Sequence, residues 1–482
     1  MGIVAIVILV LALSIGSWFM LKKEYNLAAY AVVVIALSSR LFVAADPELH
    51  DWDEQYHALV GKNFFRGDFK AELYEEQLIE YDFKEWIANG VWYSKGPVPL
   101  ILIGASVELF GEYPFAVRLP SLLLGMLSVW LTFLIGKRMF NEQVAVIALF
   151  LHAIHGSLIE LIGGRLSSDH VEVAFVFFVQ LSFYFLIKWQ QNKHPKNNLL
   201  LYMGLAVGCA FLSKWFPAFL VFPVFVVLLF LNKELSWKNR FHYLAIALFG
   251  TSVLIVPYVF VQWSSHPEEF SWMMSQLLFG ADTQATFHAS PWYYYIENIH
   301  AIFGPAAFLA VVYSVSKIKD LGRDKTITLL LWMLIPLLIF SVPQMKRQTY
   351  MLIAAPAYFL MIAFWIGQLL QFKEQRKVQL ILSRLIPVII IGFALVYHFD
   401  RMKYLSSPEA SSFQKSEWLE FEATLNDPSK VVVFNYFECH KAMFYTDVMV
   451  YRNPLPEKTH LVFQTHEVFF YDNGTFVHVM AD

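Results

Sequence analysis

Charge is what this chain has little of. Asp, Glu, Lys and Arg make up 16% of its 482 residues, where a soluble globular protein carries about 25%. That shortage, with 57% hydrophobic residues and a mean hydropathy of +0.51, excludes an ordinary water-soluble fold. Cysteine is also scarce. Cys209 lies in an apolar run and Cys439 in the tail, so neither a disulfide framework nor a cysteine metal site is expected. No basic surplus exists either: the net charge is -3, and nothing in it suggests nucleic acid as a partner. No basic residue precedes the first apolar run and no small-residue cleavage site follows it. The run is therefore expected to be a membrane helix rather than a signal peptide. Internal repeats and low-complexity segments are missing as well.

What is present is a succession of apolar runs, each long enough for a hydrocarbon core of roughly 30 Å. They fall at 2–20, 27–45, 118–136, 143–161, 171–189, 198–212, 216–232, 241–262, 297–316, 326–343, 350–371 and 379–398. The expected fold is an all-α polytopic membrane protein of about twelve transmembrane helices, with interfacial helices and a small C-terminal α/β extramembrane domain. Alternate connections are basic: Lys22/Lys23, Lys137/Arg138, Lys188/Lys193/Lys196, Lys233/Lys238/Arg240, Lys317/Lys319/Arg323/Lys325 and Lys373/Arg376/Lys377. The short connections between them hold four cations: Arg165, Lys214, Lys346 and Arg347. The positive-inside rule puts the basic set in the cytoplasm and both termini outside.

Residues 1–400 then read as a membrane domain with external loops at 46–117 and 263–296, and 401–482 as a small external domain. The run at 97–111 is too short to span and would break the alternation of charge, so an interfacial or re-entrant helix is expected there. The stretch "ADPELHDWDEQYHALVGKNFFRGDF" reads as an amphipathic helix on the membrane surface, with Asp51 as its cap and Asp53 and Glu54 in its first turn. In the tail, "SEWLEFEATL" looks helical, "KVVVFNY" reads as a buried strand and "ECHKAMFYTD" as a short helix. "THLVFQTHEVFFYDNG" reads as strand material with a turn at 472–474.

The candidate site residues converge on the external loops. The first loop supplies Asp51, Asp53, Glu54, His57 and Lys95, the second Arg165 and Asp169, and later ones Lys214, Lys346 and Arg347. Fixed cations suit a phosphate or diphosphate head group, and a carboxylate suits removal of a proton from an attacking hydroxyl. Together these are what glycosyl transfer from a polyprenyl-phosphate sugar requires. Each residue also has a plainer explanation. Lys214, Lys346 and Arg347 can snorkel to lipid phosphates, Asp169 can cap a helix, and His57, His152 and His155 can simply pack. Trp292, Tyr293 and their aromatic neighbours can form an interfacial belt. The agreement of separate loops favours function over any single residue.

These motifs, in their order, resemble a known family. "DEQYHALVGKNFFRGDF", "YSKGPVPLIL", "GEYPFAVRLPSLLLGMLSVWLTFLIGKRMF", "GRLSSDHVEVAF", "LSKWFP", "PWYYY" and "MKRQTYMLIAAPAY" look like the C-type glycosyltransferases of the protein-O-mannosyltransferase and lipid A aminoarabinose transferase group. The resemblance runs from about 50 to 360. It implies inverting transfer of a monosaccharide from polyprenyl phosphate to a protein, lipid or envelope-glycan acceptor at the outer face of a plasma membrane. It implies Asp53 as general base, Glu54 as its paired acid and Asp169 as the acid of the second loop. Lys95, Arg165, Lys214, Lys346, Arg347 and Tyr350 are implied at the donor phosphate, and Tyr56, His57, Tyr93, Gln276, Trp292 and Tyr293 in the substrate pocket. Where the aminoarabinose branch holds a divalent metal, this chain has Ser94 and Gln276, so no cofactor is expected with certainty. The arginine and tyrosine that follow the acid pair in that branch are Tyr56 and His57 here, which points to a different sugar pocket. A flippase of lipid-linked glycans is the alternative. It predicts charges near the bilayer midplane and repeated halves, and neither is evident.

Overall fold

The computed structural model describes residues 3–66, 70–84, 90–166, 169–192, 196–279, 289–372, 377–407, 413–453, 460–472 and 474–479. Among them, seven helices are long and apolar enough to cross a membrane: Tyr25–Ala44, Pro114–Met139, His170–Gln190, Trp237–Ser265, Arg323–Ser341, Gln348–Gln371 and Lys377–Leu405. Two bent pairs, Glu142–Ala153 with Gly156–Gly163 (47°) and Tyr294–Phe303 with Ala307–Ser316 (98°), bring the number to nine. The other three apolar runs are helical too: Ile3–Leu21, of 19 residues; Asn197–Lys214, with polar residues at both ends; and the shorter Phe216–Leu231, which opens in a tight 3-10 turn. Of the basic residues used for topology, Lys193, Lys373 and Arg376 lie outside the described residues.

The chain divides into two compact units. The first, Met1–Val43, Ser121–Gly163 and Val171–Ser407, is helical. Tyr25–Ala44 packs through Ala28, Ala29, Val32 and Ala36 against Val129, Phe133, Ala145 and Leu149. Small residues let these backbones approach closely, as helices in lipid require. Gln348–Gln371 is enclosed by its neighbours, whereas Trp237–Ser265 and Lys377–Leu405 leave most of their apolar surface uncovered.

The second unit is Ala44–Pro120, Gly164–His170 and Pro408–Asp482. It holds a four-stranded sheet in the order β2-β1-β3-β4: β1 (Val431–Phe434), β2 (Met449–Val450), β3 (Glu467–Asp472) and β4 (Thr475–Val479). β1 runs parallel to β2 and β3, and β4 closes an antiparallel hairpin on β3. Gly474, at φ +85, takes the left-handed conformation the hairpin turn needs; residue 473 of that turn is outside the described set. β1 is buried at every position, as its unbroken apolar run implies. The residues after 460 form a short helix, His460–Thr465, before β3, where strand was expected throughout.

Two expectations are revised here. The helix Asp53–Arg66 does not lie amphipathically on a surface: every residue from Glu54 to Phe64 is buried. One side meets the helix Pro97–Phe110, because Gly61 and Gly104 carry no side chains at the crossing. Another side meets the tail. Tyr56, Leu59, Trp92 and Leu100 share one core with Trp418, Val432, Phe434 and Met443. The segment after 407 therefore does not form a core of its own; its apolar face is completed by the first loop.

Candidate active site

The helix Asp53–Arg66 begins with two carboxylates in its first turn, where they complement the positive end of the helix dipole. Their environments differ sharply. Glu54 is fully buried, and Arg118 grips it with both ends of its guanidinium: Nε lies 2.6 Å from Oε1 and Nη2 lies 2.8 Å from Oε2. The backbone N–H of His50 donates to Oε2 at 2.8 Å, and His170 Nε2 lies 3.2 Å from Oε1. Gly164, at φ +73, sits against this carboxylate so closely that a Cβ would stand 2.3 Å from Oε1. Burial alone would raise the Glu54 pKa, but the charge of Arg118 and the hydrogen bonds from His170 and Arg118 outweigh it and hold the carboxyl well below its usual range. Glu54 is thus a fixed anion that ties three segments together, and it is in no position to exchange protons with a substrate.

Asp53 is the accessible member of the pair. Its side chain is 18% exposed and lies 3.4 Å from Lys95 Nζ, itself 21% exposed. One turn later, His57 Nδ1 lies 2.7 Å from Asp169 Oδ2, with both side chains fully buried. The carboxylate can only accept, so Nδ1 carries the proton. Burial would lower the imidazole pKa, but the Asp169 charge and hydrogen bond raise it above its ordinary value. Burial would likewise raise Asp169, and the charges of His57 and His170 hold it below. Each of the two favours the charged form of the other.

The remaining candidates fall into several settings. Arg165 is taken by Asp46 at 2.7 Å, so its charge is already matched within the second unit. The Asp51 carboxylate, read as a helix cap, pairs with Lys441 of the tail. Tyr56 is buried and stacked on Trp92 at 5.3 Å, with its phenol pushed up to about 12 by burial. Tyr93 is buried as well. Buried as they are, these two rings offer little face to a substrate. In the helical unit, Lys214 pairs with Glu172 and stands 4.6 Å from the centre of the Tyr350 ring, a cation–π arrangement. Lys346 donates to the carbonyls of Ser290 at 2.9 Å and Pro343 at 2.5 Å, and the Arg347 carbonyl accepts from Tyr295. Trp292 and Tyr293 are exposed, as an interfacial belt would be. Ser94 and Gln276 belong to different units, and a hydroxyl and an amide are poor substitutes for metal-binding carboxylate and imidazole. The residues at these positions do not fit a divalent metal, and no step below uses one.

Sequence reasoning missed Arg118, Lys62 and Lys441. Arg118 was visible as a charge at the start of an apolar run, which is costly without a partner. Lys62 donates to the carbonyls of Met443, Phe444 and Thr446 at 2.8, 3.1 and 2.8 Å. Such pairing across hundreds of residues leaves no local signature.

Residues 94–260 match the model of the family described as dolichyl-phosphate-mannose-protein mannosyltransferase. An undecaprenyl phosphate-alpha-4-amino-4-deoxy-L-arabinose arabinosyl transferase 2 of Pseudomonas fluorescens is 30% identical over 294 residues, 58% of this chain and 48% of the relative. The chain spans about half the length of the curated relatives it matches. Two solved structures share the fold. ArnT from Cupriavidus metallidurans bound to undecaprenyl phosphate has a TM-score of 0.61 at 14% identity, over 90% of this chain and 86% of that one. The archaeal oligosaccharyltransferase AglB from Archaeoglobus fulgidus, in complex with an inhibitory peptide and a dolichol-phosphate, has a TM-score of 0.63 at 13% identity, over 94% and 70%. The resemblance carried by the motif order therefore holds: the chain has the fold of these membrane glycosyltransferases and, across residues 94–260, matches the mannosyltransferase family model.

Proposed function

We propose that this integral membrane protein transfers a monosaccharide from a polyprenyl-phosphate donor to an acceptor at the outer face of a bacterial plasma membrane. The acceptor is a protein hydroxyl, a lipid or an envelope glycan, and each of the twelve apolar runs crosses the bilayer. The single observation that carries the reading is the contrast between Asp53 and Glu54. Of two adjacent carboxylates, Glu54 is locked by Arg118, while Asp53 is partly exposed beside Lys95. An acid that reaches solvent can receive a proton, and a neighbouring cation can meet the phosphate of a donor.

In this mechanism the acceptor hydroxyl attacks the anomeric carbon from the face opposite the phosphate, and Asp53 takes its proton. The bond from the anomeric carbon to the phosphate oxygen breaks, and polyprenyl phosphate leaves with both electrons of that bond. Lys95 stabilises the charge that gathers on the phosphate. One displacement inverts the anomeric configuration. Within the helical unit, Lys214, beside Tyr350, and Lys346 are cations of the kind suited to an anionic head group. A flippase would be built from repeated halves, whereas the two units here are unlike, one helical and one built around a mixed sheet.

The test is transfer of radiolabelled sugar from a panel of polyprenyl-phosphate monosaccharides by purified wild-type protein, Asp53→Asn and Lys95→Ala. Wild type is expected to consume at least one donor. Loss of a general base lowers the rate by about 10²–10⁴-fold, and a comparable loss is expected for Asp53→Asn in protein that still elutes as a folded species. Full activity in Asp53→Asn would overturn the base assignment. Labelled lipid crossing vesicle membranes with no donor consumed would overturn the enzyme.

A further inference from the structure

Trp215 has a backbone that its side chain should forbid. Among the described residues, three other than glycine have a positive φ: Lys23, Trp215 and Asn435. Lys23 is exposed in a turn and asparagine tolerates the region, but Trp215 is bulky and fully buried. Its φ of +59 and ψ of -139 lie beside the region that is essentially glycine's own, roughly φ +60 to +180 with ψ near ±150–180. Such strain persists only where the surroundings over-determine it, and it gathers at functional sites. The surroundings here are specific. The helix Asn197–Lys214 has to stop, because Pro217 has no N–H for the Ser213 carbonyl and its ring would clash with that carbonyl. Trp215 stops it. Its N–H donates to the Phe211 carbonyl at 2.6 Å, and its own carbonyl accepts from the Ala218 N–H at 3.2 Å, opening the 3-10 turn Phe216–Leu220. Its ring packs on Phe211 at 5.5 Å and on Tyr258 at 6.2 Å.

The residues on either side of Trp215 share a site. Lys214 and Pro217 line a small cleft in the helical unit with Glu172, Phe175, Thr349 and Tyr350. The Lys214 ammonium pairs with Glu172 and stands 4.6 Å from the centre of the Tyr350 ring. Glu172 takes one of its three donors, and among the described residues it makes no second hydrogen bond. We propose that Trp215 is a positioning residue for the lipid-phosphate donor: its strained turn ends the helix at Lys214 and leaves the ammonium open at the cleft, with two donors for phosphate oxygens. The inference rests on the glycosyltransferase reading above and gives Trp215 no contact with the substrate. Burial of the ring holds the backbone, and the backbone holds the cleft. A helix that ran on through 215 would swing Phe216 and Pro217 about its axis and bring Pro217 against Lys214 as its neighbour three residues on. The wall that Pro217 gives the cleft would then be lost.

The test is a reversal of the usual order of glycine and alanine. Within ordinary structure glycine is the more destabilising of the two. At 215 glycine adopts the native backbone without strain, whereas alanine keeps the strain and loses the ring that holds it. Binding of undecaprenyl phosphate is read from the rise in melting temperature of the detergent-solubilised full chain with lipid concentration. Trp215→Ala is expected to weaken Kd by about tenfold or more, the loss of a hydrogen bond to a charged group. Trp215→Gly is expected to weaken it by less than about threefold, since it can keep the turn. In a Lys214→Ala background the two variants are expected to bind alike. Trp215→Gly binding no better than Trp215→Ala would reduce Trp215 to a packing residue and overturn the inference. A gap between them that persists without Lys214 overturns it as well. Where Trp215→Ala does not fold, Pro217→Ala replaces it, since that variant keeps the ring and lets the helix run on. An unchanged Kd there overturns the inference, and a rise like that expected for Trp215→Ala supports it. All of these outcomes leave the glycosyltransferase reading standing. Wild type that neither binds undecaprenyl phosphate nor consumes any donor removes that reading, and this inference with it.

Discussion

Two adjacent acids can be told apart by what replacing each one does. Glu54 holds Arg118 inside the protein with both of its oxygens. Removing one partner of a buried ion pair strands the other, at a cost of about 3–5 kcal/mol. Glu54→Gln is therefore expected to lower the melting temperature of detergent-solubilised protein by several degrees, with activity falling in step with the folded fraction. Asp53→Asn, at a partly exposed position, is expected to leave the melting temperature within a degree or two while transfer is lost. A folded, thermally unchanged Glu54→Gln without activity would instead make Glu54 a reacting group. The His57–Asp169 pair adds a dependence on pH. His57 is raised on folding, so its contribution is fully present below the ordinary imidazole value of 6.5 and is lost as pH rises through the folded value. Asp169 is lowered, so its contribution is present above 3.8 and is lost as pH falls through the folded value. The melting-temperature gap between wild type and His57→Gln should be widest between about pH 4 and 6.5 and should narrow as the medium becomes alkaline. A gap that widened above neutrality would mean that the pair is not charged.

At the scale of the element, the acidic helix is legible in "DEQYHALVGKNFFR", with acids in its first turn and a helical run behind them. What that string does not contain is the second apolar surface. Its polar residues Gln55, His57, Lys62 and Asn63 are buried all the same, because each meets a partner from elsewhere in the chain or lies among such groups. Asp169, for example, is 112 residues away from His57, and the Met443 carbonyl is 381 away from Lys62. Periodicity reads such residues as a wet face, since it records polarity and has no access to partners. The same limit explains why position in the first helical turn alone does not separate Asp53 from Glu54. Arg118 and Gly164, which single out Glu54, arrive from two other segments. The contact that aligns the acidic helix with the segment bearing Lys95 is the crossing of Gly61 over Gly104. A Cβ at Gly104 would meet the Gly61 carbonyl oxygen at 2.3 Å and the Phe65 ring at 2.8 Å, and a backbone carbonyl cannot turn aside as a flexible side chain can. Gly104→Ala is expected to force the two helices apart, to destabilise the protein by about 1–3 kcal/mol and to lower transfer by changing the distance between Asp53 and Lys95. Gly392→Ala is the control, since nothing lies within 4 Å of the added methyl group. Equal melting temperatures and equal activity for the two variants would show that the crossing has no such role.

At the scale of the whole chain, the polar tail sets a question that composition could only frame. A change from apolar runs to mixed sequence after about 400 suggests an appended domain, removable without loss. The second unit gives the tail a different status. Lys62, on the acidic helix, donates to three carbonyls in the last turn of the tail helix Cys439–Tyr445 and just beyond it, and a cation there also complements the helix dipole. Lys441, on that tail helix, returns the contact to Asp51. His440 packs on Tyr56 at 4.3 Å. Tyr56, Leu59 and Trp92 are buried in a core shared with residues of the tail. Removal of 408–482 would bare this apolar surface and leave Lys62 without its carbonyls, two of the costliest outcomes in folding. The truncated protein is therefore expected to be inactive and to elute in the void volume of a sizing column, although its membrane helices are untouched. Lys62→Met tests the same coupling more gently. It keeps the length of the side chain but removes the donors, and should lower both the melting temperature and the rate. Its effect should be largely lost when the tail helix has already been unseated by Lys441→Met, because residues acting through one contact are not additive. A truncated chain that stays monodisperse and transfers sugar at the wild-type rate would return the tail to the status of an appendage, and would mean that the acidic helix keeps its place by Arg118 and the glycine crossing alone.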